Sequence, residues 1–379
     1  MQEQQLPIQL YGLLPAELAA FCTSIGEPAY RAKQMFRWLY NKQADSFDAM
    51  TDLSQSLRDK LADSASLASL TLKTLQHSTD GTKKFLFVLN DGREIESVLI
   101  PSEMRDEEGE LKRLTICVST QVGCALGCKF CATASLKFKR NLTAGEILAQ
   151  VLYVQKHAEK KITNLVFMGM GEPMLNYDNV MKAVDIMTHP DADMLTPKRI
   201  TLSTSGLIEG IKRMADENRP IKLAISLHAL TDGLRTELMP INKKWNLRAL
   251  GDAIEYYYRK TRRPVTYEYI LFEGLNDTYQ DAVRMAKMTR RVPSKVNVIP
   301  FHSIEFTDPT GISAQLKPSG RVGFEQFIGW LRSLDVTVMI RTSSGKDIHA
   351  ACGQLALSQV PDTDIMPEPT HQPVDTGQQ

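Results

Sequence analysis

A chain of 379 residues, 43% hydrophobic and with a formal net charge of +1, can build one large domain plus a smaller one. No apolar run approaches the roughly 20 residues a membrane helix needs, and the start, MQEQQLPIQLYG, lacks the basic-then-apolar layout of a signal peptide, so a cytoplasmic protein with no membrane partner is expected. In that reducing compartment the six cysteines suit metal ligation or thiol chemistry and exclude a disulfide framework.

Residues 8–76 carry helical periodicity and predict a small helical domain over 1–76. In AYRAKQMFRWLYNK, Tyr30, Gln34, Phe36, Leu39 and Tyr40 fall on one side and Arg31, Lys33 and Arg37 on another. Residues 77–112 come next: KKFLFVL, the turn signal NDGR and EIESVLIP predict a β-hairpin, followed by an acidic, glycine-containing loop from Arg105 to Lys112. Over 113–355, apolar runs (TICVST, ITNLVFM, RITLSTS, KLAISLH, PVTYEYILF, KVNVIPF, VTVMIRT) alternate with helical segments. One of these opens on a Thr143–Glu146 capping box. Strand and helix repeated this often predict an α/β fold, a partial TIM-type (β/α) barrel with ligands at the C-terminal strand ends. The remainder, 356–379, is rich in Pro, Gln, Thr and Asp and reads as a disordered tail. It holds four acidic residues and no Lys or Arg, which leaves the body at about +5, a mild bias that permits an anionic partner.

Cys124, Cys128 and Cys131 form a Cys-x3-Cys-x2-Cys run directly after TICVST. Three thiolates so spaced suit three corners of a four-iron, four-sulfur cluster whose fourth iron stays open for a substrate; a zinc corner or three buried apolar cysteines is the alternative. The other candidate residues also follow strands: Gly169–Pro173 (GMGEP), Ser203–Gly206, Ser226 with His228, His302, and Cys352 in DIHAACGQL. On their own, GMGE fits a tight strand-to-helix turn as well as a ligand loop, and the serines could cap helices. Cys117 could be a small buried hydrophobe, Glu96 a solvent-facing strand residue, and Cys22 fits a core position.

A cluster with one open iron beside a glycine-rich turn resembles the radical S-adenosylmethionine (SAM) superfamily. The ordered set CVSTQVGCALGCKFCAT, FMGMGEP, TLSTSG, ISLHA, MPINKK and DIHAACGQL is similar to the RlmN family of dual-specificity RNA methyltransferases, from about Leu13 to Leu355. The resemblance implies methylation of carbon 2 of adenine in 23S rRNA and in tRNA beside the anticodon. It also implies one 4Fe-4S cluster, two SAM molecules per turnover, an external one-electron donor and a monomeric enzyme. Carbon 2 is electron-poor and carries a non-acidic hydrogen, so a radical has to act. Cys352 would take a methyl group from one SAM, a displacement that favours a thiolate. A deoxyadenosyl radical from a second SAM would convert that methyl to a methylene radical, which adds to the base. Release implies Glu96 as proton acceptor and Cys117 as the resolving thiol that ends disulfide-linked to Cys352.

By the same resemblance Met170, Gly171 and Glu172 form the element that receives the SAM amino group, and Ser203, Ser226, Leu227 and His228 line the SAM site. His302 stands where relatives often have Asn. Charge for RNA is available in Tyr256–Arg263 (YYYRKTRR), Lys243 with Lys244, and Lys137–Arg140, although a solvated helix face explains the first as well. The rivals are a Cfr-type enzyme acting on adenine carbon 8, a glycyl-radical activase or sulfur-inserting enzyme, and a non-catalytic iron-sulfur RNA-binding redox sensor.

Overall fold

The computed structural model describes residues 7–67, 69–102, 111–341 and 344–357. The expected tail, from 358 onward, and most of the acidic loop lie outside the described residues.

At the N-terminus β1 (Ile8–Gln9) pairs with β2 (Ala65–Ser66) and brackets three helices, α1 (Pro15–Ser24), α2 (Arg31–Phe36) and α3 (Gln55–Ser64). A π-helical turn over Arg37–Asn41 extends α2. Phe36, Leu39 and Tyr40 are buried as the periodicity requires, but Tyr30 is 63% exposed. Of the cations on the other side, Arg37 binds Asp191 at 2.7 Å, while Phe36 packs edge-on to His189. This unit is therefore fixed to the larger one through the loop that carries His189 and Asp191. At one point the chains nearly touch: a Cβ on Gly12 would come within 2.5 Å of Gly145 N.

Residues 70–76 depart from the helical expectation. They belong to β3 (Leu70–His77), antiparallel to β4 (Lys83–Leu89), with a register break between Leu72 and Thr74. That bulge spaces Leu70, Leu72 and Leu75 by two and then three residues, which imitates a helical stripe in a strand. The hairpin of β4 with β5 (Glu94–Pro101) forms as predicted, with Gly92 at φ +77° in its turn.

All seven expected strands of the larger unit form: β6 (Leu114–Cys117), β9 (Asn164–Phe167), β10 (Ile200–Thr204), β11 (Lys222–Ser226), β12 (Val265–Leu271), β13 (Ser294–Pro300) and β14 (Val338–Ile340). They lie parallel in that order, and β5 joins β6 antiparallel, making one ten-stranded sheet from β3 to β14. Its two edges stay apart, so this is an open, partial barrel. Each strand from β9 onward is reached through helices: α4 (Ala144–Lys156), α5 (Tyr177–Met187), α6 (Ile208–Asp216), α7 (Asp232–Leu238) with α8 (Leu247–Thr261), α9 (Tyr279–Thr289) and α10 (Arg321–Ser333). Thr143 caps α4 in the box read from sequence, its hydroxyl accepting from Glu146 N at 3.2 Å. One apolar core runs from the N-terminal helices through the barrel, and Cys22 lies in it with its thiol against Met35.

Candidate active site

The concave face of the partial barrel encloses a cavity at the C-terminal ends of its strands. Its wall includes Cys124, Cys128 and Cys131, then Gly171 and Glu172, then Ser203, Ser226 and His228, and finally Cys352. These residues, from five different strand ends, thus converge on one space.

The cysteine loop is shaped by glycine. Gly123 sits at φ +71°, and a Cβ there would overlap the carbonyl of Lys137. After a two-residue ladder of β7 (Gln121–Val122) with β8 (Arg140–Asn141), the loop carries its three sulfurs toward the cavity. Burial pushes all three thiols up, Cys124 to about 12, so they retain protons until a cation displaces them. Among the described residues no three Cys, His, Asp or Glu gather closely enough to share a single metal ion. Three soft sulfur donors set apart around an open space fit a polynuclear iron-sulfur group better than a zinc corner.

The GMGEP turn packs without slack. A Cβ on Gly169 would lie 2.6 Å from the carbonyl of Val118, and one on Gly171, at φ +96°, 2.5 Å from the Gln121 side chain. Glu172 closes the turn, 3% exposed, its two carboxylate oxygens accepting from Met174 N at 3.1 Å and Ser205 N at 2.8 Å. Burial raises its pKa. The hydroxyls of Thr204 and Ser205 also bond this carboxylate, and its buried negative charge is what suits an ammonium. Gln121, absent from the sequence reading, accepts from Glu172 N at 2.9 Å and holds the turn against the cysteine loop.

His228 is 3% exposed in the left-handed region at φ +53°. Its Nδ1 accepts from Ile270 N at 3.1 Å, and Asn276 ties its carbonyl to that of Ile270. The proton of the neutral ring therefore sits on Nε2, and desolvation pushes the pKa down to about 3, with Arg235 adding to the effect. Ser203 and Ser226 lie side by side, their hydroxyls 3.5 Å apart. Leu227 is fully buried and does not line the cavity; its backbone carbonyl accepts from Arg235 Nε. His302 is half-buried beyond the strand end and also stays off the wall.

Cys352 comes from the other end of the chain, and the loop that carries it is fastened to the residues after Cys131. Ala132 N donates to Gly353 O at 2.7 Å, and the Thr133 hydroxyl to Leu355 O at 2.6 Å. Cys117 lies at the end of β6, buried, with its thiol pushed up to about 12 by desolvation first and by Cys352 second. Both are free thiols here.

Glu96 is placed differently from the solvent-facing alternative. It is completely buried rather than solvent-facing, and it is not on the cavity wall. Its carboxylate lies 3.4 Å from Lys84 Nζ and accepts from Leu357 N at 3.1 Å, anchoring the segment that follows Cys352. The basic stretches divide as well. Helix α8 runs back to the start of β12, so YYYRKTRR lies at the end of the sheet opposite the cavity, with Tyr256 and Lys260 both engaged by Asp216. Lys243 and Lys244 precede α8 and lie at the cavity end.

Three more cavity or support residues went unread. Glu268 and Arg341 line the wall, and Arg235, 1% exposed, donates to the carbonyls of Ser205, Ser226 and Leu227. The signal for the first two was a charge inside PVTYEYILF and another closing VTVMIRT.

Comparison with known proteins agrees with this geometry. Residues 8–67 match the ribosomal RNA large subunit methyltransferase N-terminal domain and residues 118–286 the radical SAM superfamily. A probable dual-specificity RNA methyltransferase RlmN of Heliobacterium modesticaldum is 43% identical over 362 residues, covering 93% of this chain and 91% of its own length. The dual-specificity RNA methyltransferase RlmN of Geobacter sulfurreducens is 42% identical over 348 residues, 92% of each chain. Among solved structures, a radical SAM methyltransferase from Sphaerobacter thermophilus superposes with a TM-score of 0.84 at 40% identity, covering 92% of this chain and 99% of that one.

Proposed function

The chain belongs to the RlmN family of dual-specificity RNA methyltransferases, and from that premise we propose that it methylates carbon 2 of adenine in 23S rRNA and in tRNA next to the anticodon. It is a SAM-dependent RNA methyltransferase of the radical SAM superfamily. The observation that carries the finer reading is the position of Cys352: a thiol outside the cysteine triplet, on the wall of the same cavity, fastened to the residues after Cys131.

In this reading Cys124, Cys128 and Cys131 hold a 4Fe-4S cluster, which together with SAM supplies one-electron cleavage of a carbon–sulfur bond when both are bound. Glu172 accepts from the SAM ammonium. Ser203 and Ser226 offer hydroxyls, and His228 offers Nε2–H, to its ribose and base. Cys352 takes the methyl group of a first SAM and, after hydrogen is removed from that methyl, forms a bond to carbon 2. A second SAM is consumed in that removal. Cys117, close enough to Cys352 for that residue to influence it electrostatically, resolves the bond between protein and RNA by forming a disulfide as the sulfur–carbon bond breaks and the released carbon takes up a proton to complete the methyl group. Glu96 is assigned the proton of carbon 2, and to reach it the segment at Leu357 has to release its carboxylate. The N-terminal helices serve RNA contact, and an external one-electron donor completes the cycle.

Anaerobic reconstitution with iron and sulfide, followed by methylation of rRNA and tRNA with carbon-labelled SAM, tests the reading. The expected product on digestion is 2-methyladenosine. Exclusive 8-methyladenosine would reassign the chain to Cfr-type chemistry, and failure to release deoxyadenosine would leave the redox-sensor reading.

A further inference from the structure

Glu268 is a buried carboxylate among the residues that line the cavity, and one of its oxygens has no partner. It projects from the middle of β12 and is 4% exposed. Asn297, its register partner on β13, donates to Oε1 at 2.8 Å. Oε2 is fully buried and has no hydrogen-bond partner. A buried acceptor without a donor is costly, more so when charged, so such an atom calls for a ligand. The nearest cation is Arg341, whose Nη1 lies 3.8 Å from Oε2, beyond hydrogen-bond range. Arg341 leaves the end of β14 with its N–H on Val298 O, keeps 24% of its side chain accessible, and lines the same wall as Cys352.

The two side chains present an acceptor beside a donor. The Watson–Crick edge of adenine presents the reverse in the same order: the 6-amino group donates and the adjoining N1 accepts. Carbon 2 is bonded to N1, whereas carbon 8 lies on the far side of the base. We propose that Glu268 Oε2 and Arg341 read this edge of the target RNA adenine, Glu268 receiving the 6-amino group and Arg341 donating to N1. The inference rests on the carbon-2 reading above. A base taken out of its stack into a pocket is identified in this way, by hydrogen bonds to its pairing edge. The arrangement serves reaction as well as recognition. A cation on N1 draws electron density from the ring and makes carbon 2 more receptive to a carbon radical held on Cys352. The same donor–acceptor order also suits the adenine of SAM. The RNA base is favoured because Arg341 lines the same cavity as Cys352, whose sulfur must reach carbon 2, and lies close enough to that sulfur to interact with it electrostatically.

The test uses reconstituted full-length enzyme and tRNA assembled with adenosine, purine riboside (no 6-amino group) or 1-deazaadenosine (no N1) at the target position. Wild-type kcat/KM should fall at least about tenfold for each analogue, since a site that hydrogen-bonds a substrate group rejects analogues lacking it. Glu268→Ala and Glu268→Gln should lose the discrimination between adenosine and purine riboside. Arg341→Met should lose that between adenosine and 1-deazaadenosine. Wild-type enzyme that treats the three RNAs alike overturns the proposal, and this comparison needs no variant to fold. Variants that discriminate as wild type does also overturn it. Glu268→Ala with weakened SAM binding and unchanged RNA discrimination assigns the pair to the cofactor's adenine. If wild-type enzyme makes no 2-methyladenosine from unmodified tRNA, the carbon-2 reading itself fails, and that result is seen before any analogue is used.

Discussion

The hydroxyl of Thr133, two residues past the last cysteine of the triplet, donates to the carbonyl of Leu355, three residues past Cys352, at 2.6 Å. The bond is buried and spans 222 residues of sequence. Together with Ala132 N on Gly353 O it makes the cysteine loop and the loop of Cys352 one mechanical unit. Replacing Thr133 by Val keeps the shape but leaves Leu355 O without its donor, at about 1–2 kcal/mol. Iron content should stay near wild type while methylation of Cys352 slows several-fold, read by mass spectrometry of the peptide. Unchanged Cys352 methylation would show that the tether does not position the thiol.

The two thiols outside the triplet should fail in different ways. Cys352→Ala is expected to abolish RNA methylation while reductive SAM cleavage to deoxyadenosine persists. Cys117→Ala, at the end of β6, should leave RNA attached to Cys352, visible as a protein band of raised mass on a denaturing gel that disappears after nuclease treatment. Methylated RNA from the first variant would remove Cys352 from the reaction.

His228 sets a pH dependence whose sign follows from its burial. An unfolded histidine titrates near 6.5, while in the fold desolvation holds His228 at about 3. Between those values the unfolded chain binds a proton that the native chain does not, so this residue contributes stability above pH 6.5 that is lost as pH falls toward 3. Denaturant midpoints of the metal-free protein from pH 7 to pH 4 should drop less steeply in His228→Asn than in wild type. Parallel curves would indicate that the imidazole is already accessible to water in the native state.

Basic residues at the two ends of the barrel should differ in their effect on RNA. Lys243 and Lys244 lie at the cavity end, whereas Arg259 and Arg262 belong to the far end of α8. The double variant Lys243→Ala/Lys244→Ala should weaken RNA binding and lower the slope of log K against log salt by about 1 per lost phosphate contact. Arg259→Ala/Arg262→Ala should leave both nearly unchanged. Filter binding across a salt series distinguishes the two outcomes.

Features whose information is local were legible in the sequence. The cysteine triplet, the Asp91–Gly92 turn and the seven apolar runs each depend on spacing within about ten residues, and all appear where the periodicity puts them. The order of strand-end residues along the chain also announced one shared face, because a parallel sheet brings its C-terminal ends to one side. The misreadings have physical causes. A single bulge at Lys73 broke the two-residue period of β3 and disguised it as helix. The bulk of YYYRKTRR lies at the wrong end of the sheet for the cavity because α8 runs antiparallel to its strand, a direction that charge counting does not carry.

By itself, then, the sequence determined the closely spaced cysteine triplet, the alternation of strand and helix, and the thiol that stands outside the triplet. Only the tertiary structure decided what surrounds that thiol: the tether from Thr133, the burial of Glu96 against Lys84, and the meeting of Glu268 with Arg341 across β12, β13 and β14. Those relations arise from sheet curvature and from contacts separated by 12 to more than 200 residues. A one-dimensional pattern fixes which residues share a strand end, but the distance between their side chains depends on how the strands coil around a common space.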